Sequence, residues 1–189
     1  MKYSFQNLKN DKIKKLFLEV LRDFPTLHEH EIILSRSKLK SSTMRAQPLI
    51  TIRNFFASHK KYKVTLGFHI RDKEELIIAK VPDDALKGWF AHELAHVVDY
   101  RQYSSFHLIA YGIRYVFSAS FRKKVEHDAD YIAIKYGFTD EILATKRYIL
   151  EHELIEDKYK KKIKRYYLSV DQVHLCSEDR SLLEPYIHL

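Results

Sequence analysis

Trp89-Phe90-Ala91-His92-Glu93-Leu94-Ala95-His96-Val97-Val98 places two imidazoles four residues apart, with a carboxylate between them, inside an apolar run. On a helix, residues four apart share a face about one turn from each other. His92 and His96 can therefore both offer a ring nitrogen to one tetrahedral metal ion. Glu93 projects about 100° round the helix, which keeps it off the metal and within reach of a metal-bound water as a proton acceptor. Trp89, Phe90, Leu94, Val97 and Val98 give the polar trio a helical, apolar setting.

Two histidines leave a catalytic site one protein ligand short. Thirty residues after His96 stands Glu126, opening Glu126-His127-Asp128-Ala129-Asp130-Tyr131-Ile132-Ala133. Glu126 and Asp130 are one helical turn apart on one face. Glu126 completes the coordination in this reading, and Asp130 accepts a hydrogen bond from the far nitrogen of a liganding histidine, fixing its tautomer. Ala129 and Ala133 are small enough to let this second helix approach the first. Taken alone, the acidic cluster also reads as a solvated face following the basic Arg122-Lys123-Lys124. The histidine pair upstream tips the balance toward ligands.

With both blocks in hand, the chain resembles the gluzincin metallopeptidases, in particular the compact minigluzincins and the catalytic cores of the CAAX-prenyl-protease family. The resemblance rests on His92-Glu93-x-x-His96 and Glu126-x-x-Ala129-Asp130 at a short spacing, and covers about residues 60 to 137. It implies one zinc ion per chain on His92, His96 and Glu126, with Glu93 as general base and acid and Asp130 behind the ligands. It further implies hydrolysis of peptide bonds. The peptide or protein substrate would lie extended along an edge strand above the active-site helix, with residues 62 to 70 or 75 to 80 as candidates. Immune-repressor-cleaving proteases carry a similar pair of blocks, so the subfamily stays open. A donor to the developing oxyanion is also needed, and His174, Tyr166, Tyr167, His127 and Arg101 are all eligible.

Other readings meet the same residues. A metzincin requires glycine and histidine where this chain has Asp99 and Gln102. An SprT-like DNA–protein crosslink protease would recruit His107 or His127 as third ligand. The formal charge of +8 and the run Lys158 to Tyr167 keep a nucleic-acid-binding module in view, although a solvated helix face accounts for that run more simply. A non-catalytic partner-binding domain that retains the fold is a third reading. Against it, a purely structural zinc has no use for Glu93.

At 189 residues and 46% hydrophobic, with four prolines, four glycines and no linker composition, the chain reads as a single domain. One cysteine, Cys176, allows no intrachain disulfide, and no secretory signal is evident; a reducing cytoplasm is the simplest home. Minigluzincins are known as zymogens, which raises Cys176 as a latent fourth ligand; the alternative is a small buried apolar side chain. The longest apolar run, Phe106 to Phe121, is too short and, with Arg114, too polar to span a membrane, and reads as a buried core helix between the two ligand helices.

The pattern predicts an α+β, zincin-like domain: an N-terminal helix and a small, mostly antiparallel sheet (1–81) packed on an active-site helix (82–103), then a helical part carrying the third ligand (104–189). A helix capped at Asn10 or Asp11 runs to Pro25. Strands are expected at 31–35 and 49–53 around a polar turn at Ser41 to Thr43, and at 62–70 and 76–80 as a hairpin turning at Arg71 to Lys73. Helices follow at about 105–119, 121–136 and 140–167, the last with a possible break.

Overall fold

A computed structural model of the chain describes residues 1–39, 42–56, 60–70, 74–186 and 188–189, with Asn54 described by its backbone alone. It is an α+β structure in which four strands precede most of the helices. The sheet comprises β1 (Lys2–Gln6), β2 (Glu31–Arg36), β3 (Met44–Pro48) and β4 (Lys61–Leu66), in the order β1-β2-β4-β3.

The expected antiparallel character is overturned. β1 pairs β2 in parallel, β2 pairs β4 in parallel, and β3 alone runs antiparallel, against β4. The physical reason is β1, which the alternation of Lys2-Tyr3-Ser4-Phe5-Gln6 signals only weakly. Once β1 is in the sheet, the first helix becomes the crossover of a β-α-β unit, and such a crossover returns the next strand parallel to the first. Ile32, Ile33 and Leu34 are buried on both faces of β2, as an interior parallel strand requires.

Helix α1 (Asp11–Arg22) is capped by Asn10, whose side chain accepts from the Ile13 N–H at 3.0 Å. It buries Ile13, Leu16, Phe17, Val20 and Leu21, the face its spacing foretells, and stops before Phe24. The strand expected at 49–53 lies earlier, as β3, and residues Ile52–Asn54 form a 3-10 turn. The expected hairpin shrinks to β4 plus one antiparallel bridge, His69 to Ile77, with Ile78–Lys80 again 3-10. Its turn at Arg71 to Lys73, like Ser41 of the earlier turn, lies outside the described residues.

Helix α2 (Asp83–Tyr100) is buried on every side from Gly88 to Val98, which makes it the central element rather than a surface helix. α3 (Ser105–Phe117) and α4 (Ala119–Lys135) follow, then α5 (Thr139–Glu151), α6 (Asp157–Tyr166) and α7 (Val170–Glu178). The possible break in the 140–167 helix falls at His152, between α5 and α6, and α7 adds a helix in the tail. Phe17 joins sheet and helices, edge-on to Phe5 of β1 at 6.5 Å and to Phe90 of α2 at 5.3 Å.

α2 and α5 meet closely at Gly88. A Cβ there would lie 2.1 Å from the Glu141 carbonyl oxygen and 2.2 Å from Thr145 Oγ1, while that hydroxyl donates to the Ala85 carbonyl at 2.7 Å. Gly88→Ala must push α5 off α2. We expect a loss of about 1–3 kcal/mol, seen as a melting temperature roughly 2–12 °C lower; an unchanged melt would show that the contact yields freely.

The reading of Phe106 to Phe121 as a buried core helix is also overturned. α3 buries only Ser105, Leu108 and Tyr111, and leaves Phe106, Ile109, Ile113, Val116 and Phe117 exposed. It packs on α4 along one side, and these five side chains stand exposed on the other. Among those residues no helix is long and apolar enough to cross a membrane.

Candidate metal centre

α2 delivers His92, Glu93 and His96, and α4 delivers Glu126 and Asp130; all five are buried. Ala129 and Ala133 are buried on α4, small enough to seat it against the neighbouring helices. His92 Nε2 lies 3.0 Å from Glu126 Oε2, and His96 Nε2 lies 3.4 Å from the same oxygen. One donor atom from each of His92, His96 and Glu126 falls within 4.8 Å of the other two, so the three form a buried group able to hold a metal ion.

The donor set fits such an ion. A metal about 2.1 Å from tetrahedral ligands separates them by about 3.4 Å, close to the spacings found. His96 Nε2 faces the same Glu126 oxygen, while its Nδ1 is buried without a hydrogen-bond partner, so its ring lacks the support that His92 has. Two nitrogens and one carboxylate leave a fourth position free.

Behind this group stands a fixed chain of contacts. His92 Nδ1 lies 2.9 Å from Asp130 Oδ1. Burial would raise the Asp130 pKa, but Lys146 and His92 hold it down to about 2, so the carboxylate only accepts and Nδ1 carries the proton. Asp130 Oδ2 accepts from Lys146 Nζ at 2.7 Å and from the Leu168 N–H at 3.1 Å. Burial would depress the His92 pKa, yet its bonds to Asp130 and Glu126 push it up to about 10. A divalent ion would replace the Nε2 proton in this position, so metal uptake releases protons. The Tyr115 hydroxyl donates to Glu126 Oε1, leaving Oε2 for the histidine side.

Glu93 points elsewhere. Burial pushes its carboxyl pKa up, opposed by the two histidines and, least, by the backbone of Ala46 in β3. β3 is the sheet edge above α2. Bonds from the Gly67 N–H to the Thr43 carbonyl and from the Leu49 N–H to the Lys61 carbonyl place the odd-numbered residues of β3 against β4. The backbone groups of Met44 and Ala46 therefore face away from β4, over Glu93. The candidate edges at 62–70 and 75–80 are corrected here: β4 is an interior strand, and Ile78–Lys80 is not a strand.

A cleft of about 530 Å³ runs past this edge. β3 forms one wall, Glu93, His96 and Glu126 the floor, and Leu108, Tyr111 and Tyr115 of α3 the opposite wall. Of the five oxyanion candidates, Tyr167 lines the cleft, its ring 5.2 Å from that of His92. Tyr166 lies beside the guanidinium groups of Arg122 and Arg165 at 5.4 and 5.2 Å. Arg101 donates to the Leu189 carbonyl at 2.8 Å, His174 is exposed on α7, and His127 is half-buried; none of these four lines the cleft. His107 is exposed on α3, bonded to Ser104, and Cys176 is a free, buried thiol on α7; neither belongs to the metal group.

Two residues of the site were missed from sequence. Lys146 occupies a buried position on the stripe Ile142, Leu143, Ile149 of α5, and a lysine on such a stripe is a readable signal. Tyr115 carries no such signal, because its partner lies on another helix. Compared with known proteins, the chain matches no family model, no curated protein and no solved structure.

Proposed function

We propose that the chain is a gluzincin-type zinc peptidase that cleaves a peptide laid along the free edge of β3. The observation that carries this reading is the convergence of His92, His96 and Glu126 beside a base, Glu93, under a strand edge that is unpaired among the described residues. A structural metal site would leave both the base and the edge without a purpose. An ion on the three ligands would supply a Lewis acid for the scissile carbonyl and an acidified water.

The chain's own residues do the rest. Glu93 lines the cleft beneath β3, where it takes a proton from the attacking water and returns it to the leaving amine. Outward-facing backbone groups of Met44 and Ala46 hold the substrate extended by strand addition. Tyr167, on the cleft wall beside His92, is placed to donate to the oxyanion. Asp130 keeps the His92 ring turned toward the ligand point.

Metal analysis of the purified chain by mass spectrometry, paired with casein digestion, tests this. We expect one zinc ion per chain, cleavage that stops with phenanthroline, and recovery on adding zinc. Digestion that persists undiminished after the metal is stripped would overturn the reading.

A further inference from the structure

The exposed face of α3 has no use in the chemistry above. Phe106, Ile109, Ile113, Val116 and Phe117 fall within about 100° of arc on one side of the helix, and Phe117 is 84% exposed. Ser105 Oγ donates to the Phe55 carbonyl at 2.6 Å, which seats the segment 52–56 against the first turn of the same helix. That segment presents Ile52 and Phe56, 98% and 95% exposed, on either side of the exposed Arg53. Isolated exposed apolar residues need no explanation; two adjoining segments that both display them do.

The two stretches of chain that carry them are one-sided in charge. Residues 32–71 and 100–125, which carry both segments, hold 14 of the 33 basic residues and none of the 25 acidic ones, so the remainder of the chain sets 19 basic residues against 25 acidic. Arg114 is exposed on α3, and Arg122 donates to the Tyr115 and Val116 carbonyls at 3.0 and 2.7 Å, setting its cation at the helix's last turn.

We propose that α3 and the segment 52–56 form a docking face for an anionic lipid surface. At about 20 Å, α3 is too short to span a bilayer and long enough to lie in its interface with the apolar side chains inserted and the arginines at the headgroups. Side chains that stand half to almost fully clear of the protein suit a fluid acyl layer, which needs no sockets. A second copy of the chain would bring the basic residues of these two stretches face to face, which disfavours it. Tyr115 and Val116 belong at once to this helix and to the cleft wall, so the cleft opens beside the lipid. On the peptidase reading above, that favours substrate segments held at a membrane surface.

Vesicle co-sedimentation uses no catalytic activity, so this inference and the peptidase reading fail separately. The full chain is mixed with vesicles of phosphatidylcholine alone or with about a third phosphatidylglycerol. We expect binding to the anionic vesicles at least about ten-fold tighter than to the neutral ones, reversed by high salt. The triple variant Ile109→Ser, Ile113→Ser, Phe117→Ser, checked for an unchanged melting temperature, should lose at least about ten-fold, and Arg53→Gln with Arg114→Gln about five-fold per charge. The proposal is overturned by wild-type chain that stays in the supernatant with anionic vesicles, or by a folded triple variant that binds as well as wild type. A wild-type dimer that the triple variant dissolves would equally overturn it, assigning the face to a second copy.

Discussion

Glu93→Gln is expected to keep one zinc ion per chain and to lower casein hydrolysis about a thousand-fold. Glutamine keeps the length and shape of the side chain beneath β3, so the β3 edge and the histidines on either side stay in place. What it loses is the lone pair basic enough to take a proton. Positioned proton transfer contributes typically 10²–10⁴-fold, and a thousand-fold is about 4 kcal/mol of barrier. The substitution also discriminates between roles. Glu93 lies outside the ligand trio, so zinc content measured beside the rate separates loss of the base from loss of the metal. A Glu93→Gln chain that digests casein at more than a tenth of the wild-type rate would remove the residue from the chemistry, and one that arrives without zinc would make it structural.

The metal group was legible because each half of it is local. His92 to His96 and Glu126 to Asp130 are four-residue spacings on helices, and a spacing of four survives any arrangement of the rest of the fold. The elements that position them were legible unevenly. α1 carried both a cap and a regular apolar face, whereas β1 offers five residues alternating around Lys2, Ser4 and Gln6 at the start of the chain. Missing that strand reversed the sense of the sheet, because strand direction follows from the crossover and is written in no single strand. The edge strand was placed a few residues late. Met44-Arg45-Ala46-Gln47-Pro48 ends in a proline, which an edge tolerates, while the more apolar Leu49-Ile50-Thr51-Ile52 drew the assignment away from it. For α3, periodicity listed the apolar residues correctly, but no pattern within a helix states whether a neighbour covers it.

Lys146→Met is expected to be the most destabilising single change at the site. The Lys146 side chain is 5% exposed, and its Nζ lies 2.7 Å from Asp130 Oδ2, itself 2% exposed. Methionine keeps the stem that packs along α5 and removes only the cation, which leaves a buried carboxylate to His92 and one backbone N–H. Breaking such a buried pair from one side costs about 3–5 kcal/mol, or roughly 6–20 °C in a chain of this size. The pH dependence has a definite sign. Asp130 titrates at about 2 in the folded chain against an ordinary 3.8, so its ionised form stabilises the fold above the unfolded value, and that stability is lost as pH falls through the folded one. Removing Lys146 lets the carboxyl titrate higher, and the acid unfolding midpoint should move to higher pH. Adding Asp130→Asn to Lys146→Met, with both forms melted metal-free, should recover much of the loss, since neither half of the charge pair then remains buried alone. A loss below about 1 kcal/mol in the single variant would mean that water reaches Asp130, and the fixed orientation of His92 would then need another cause.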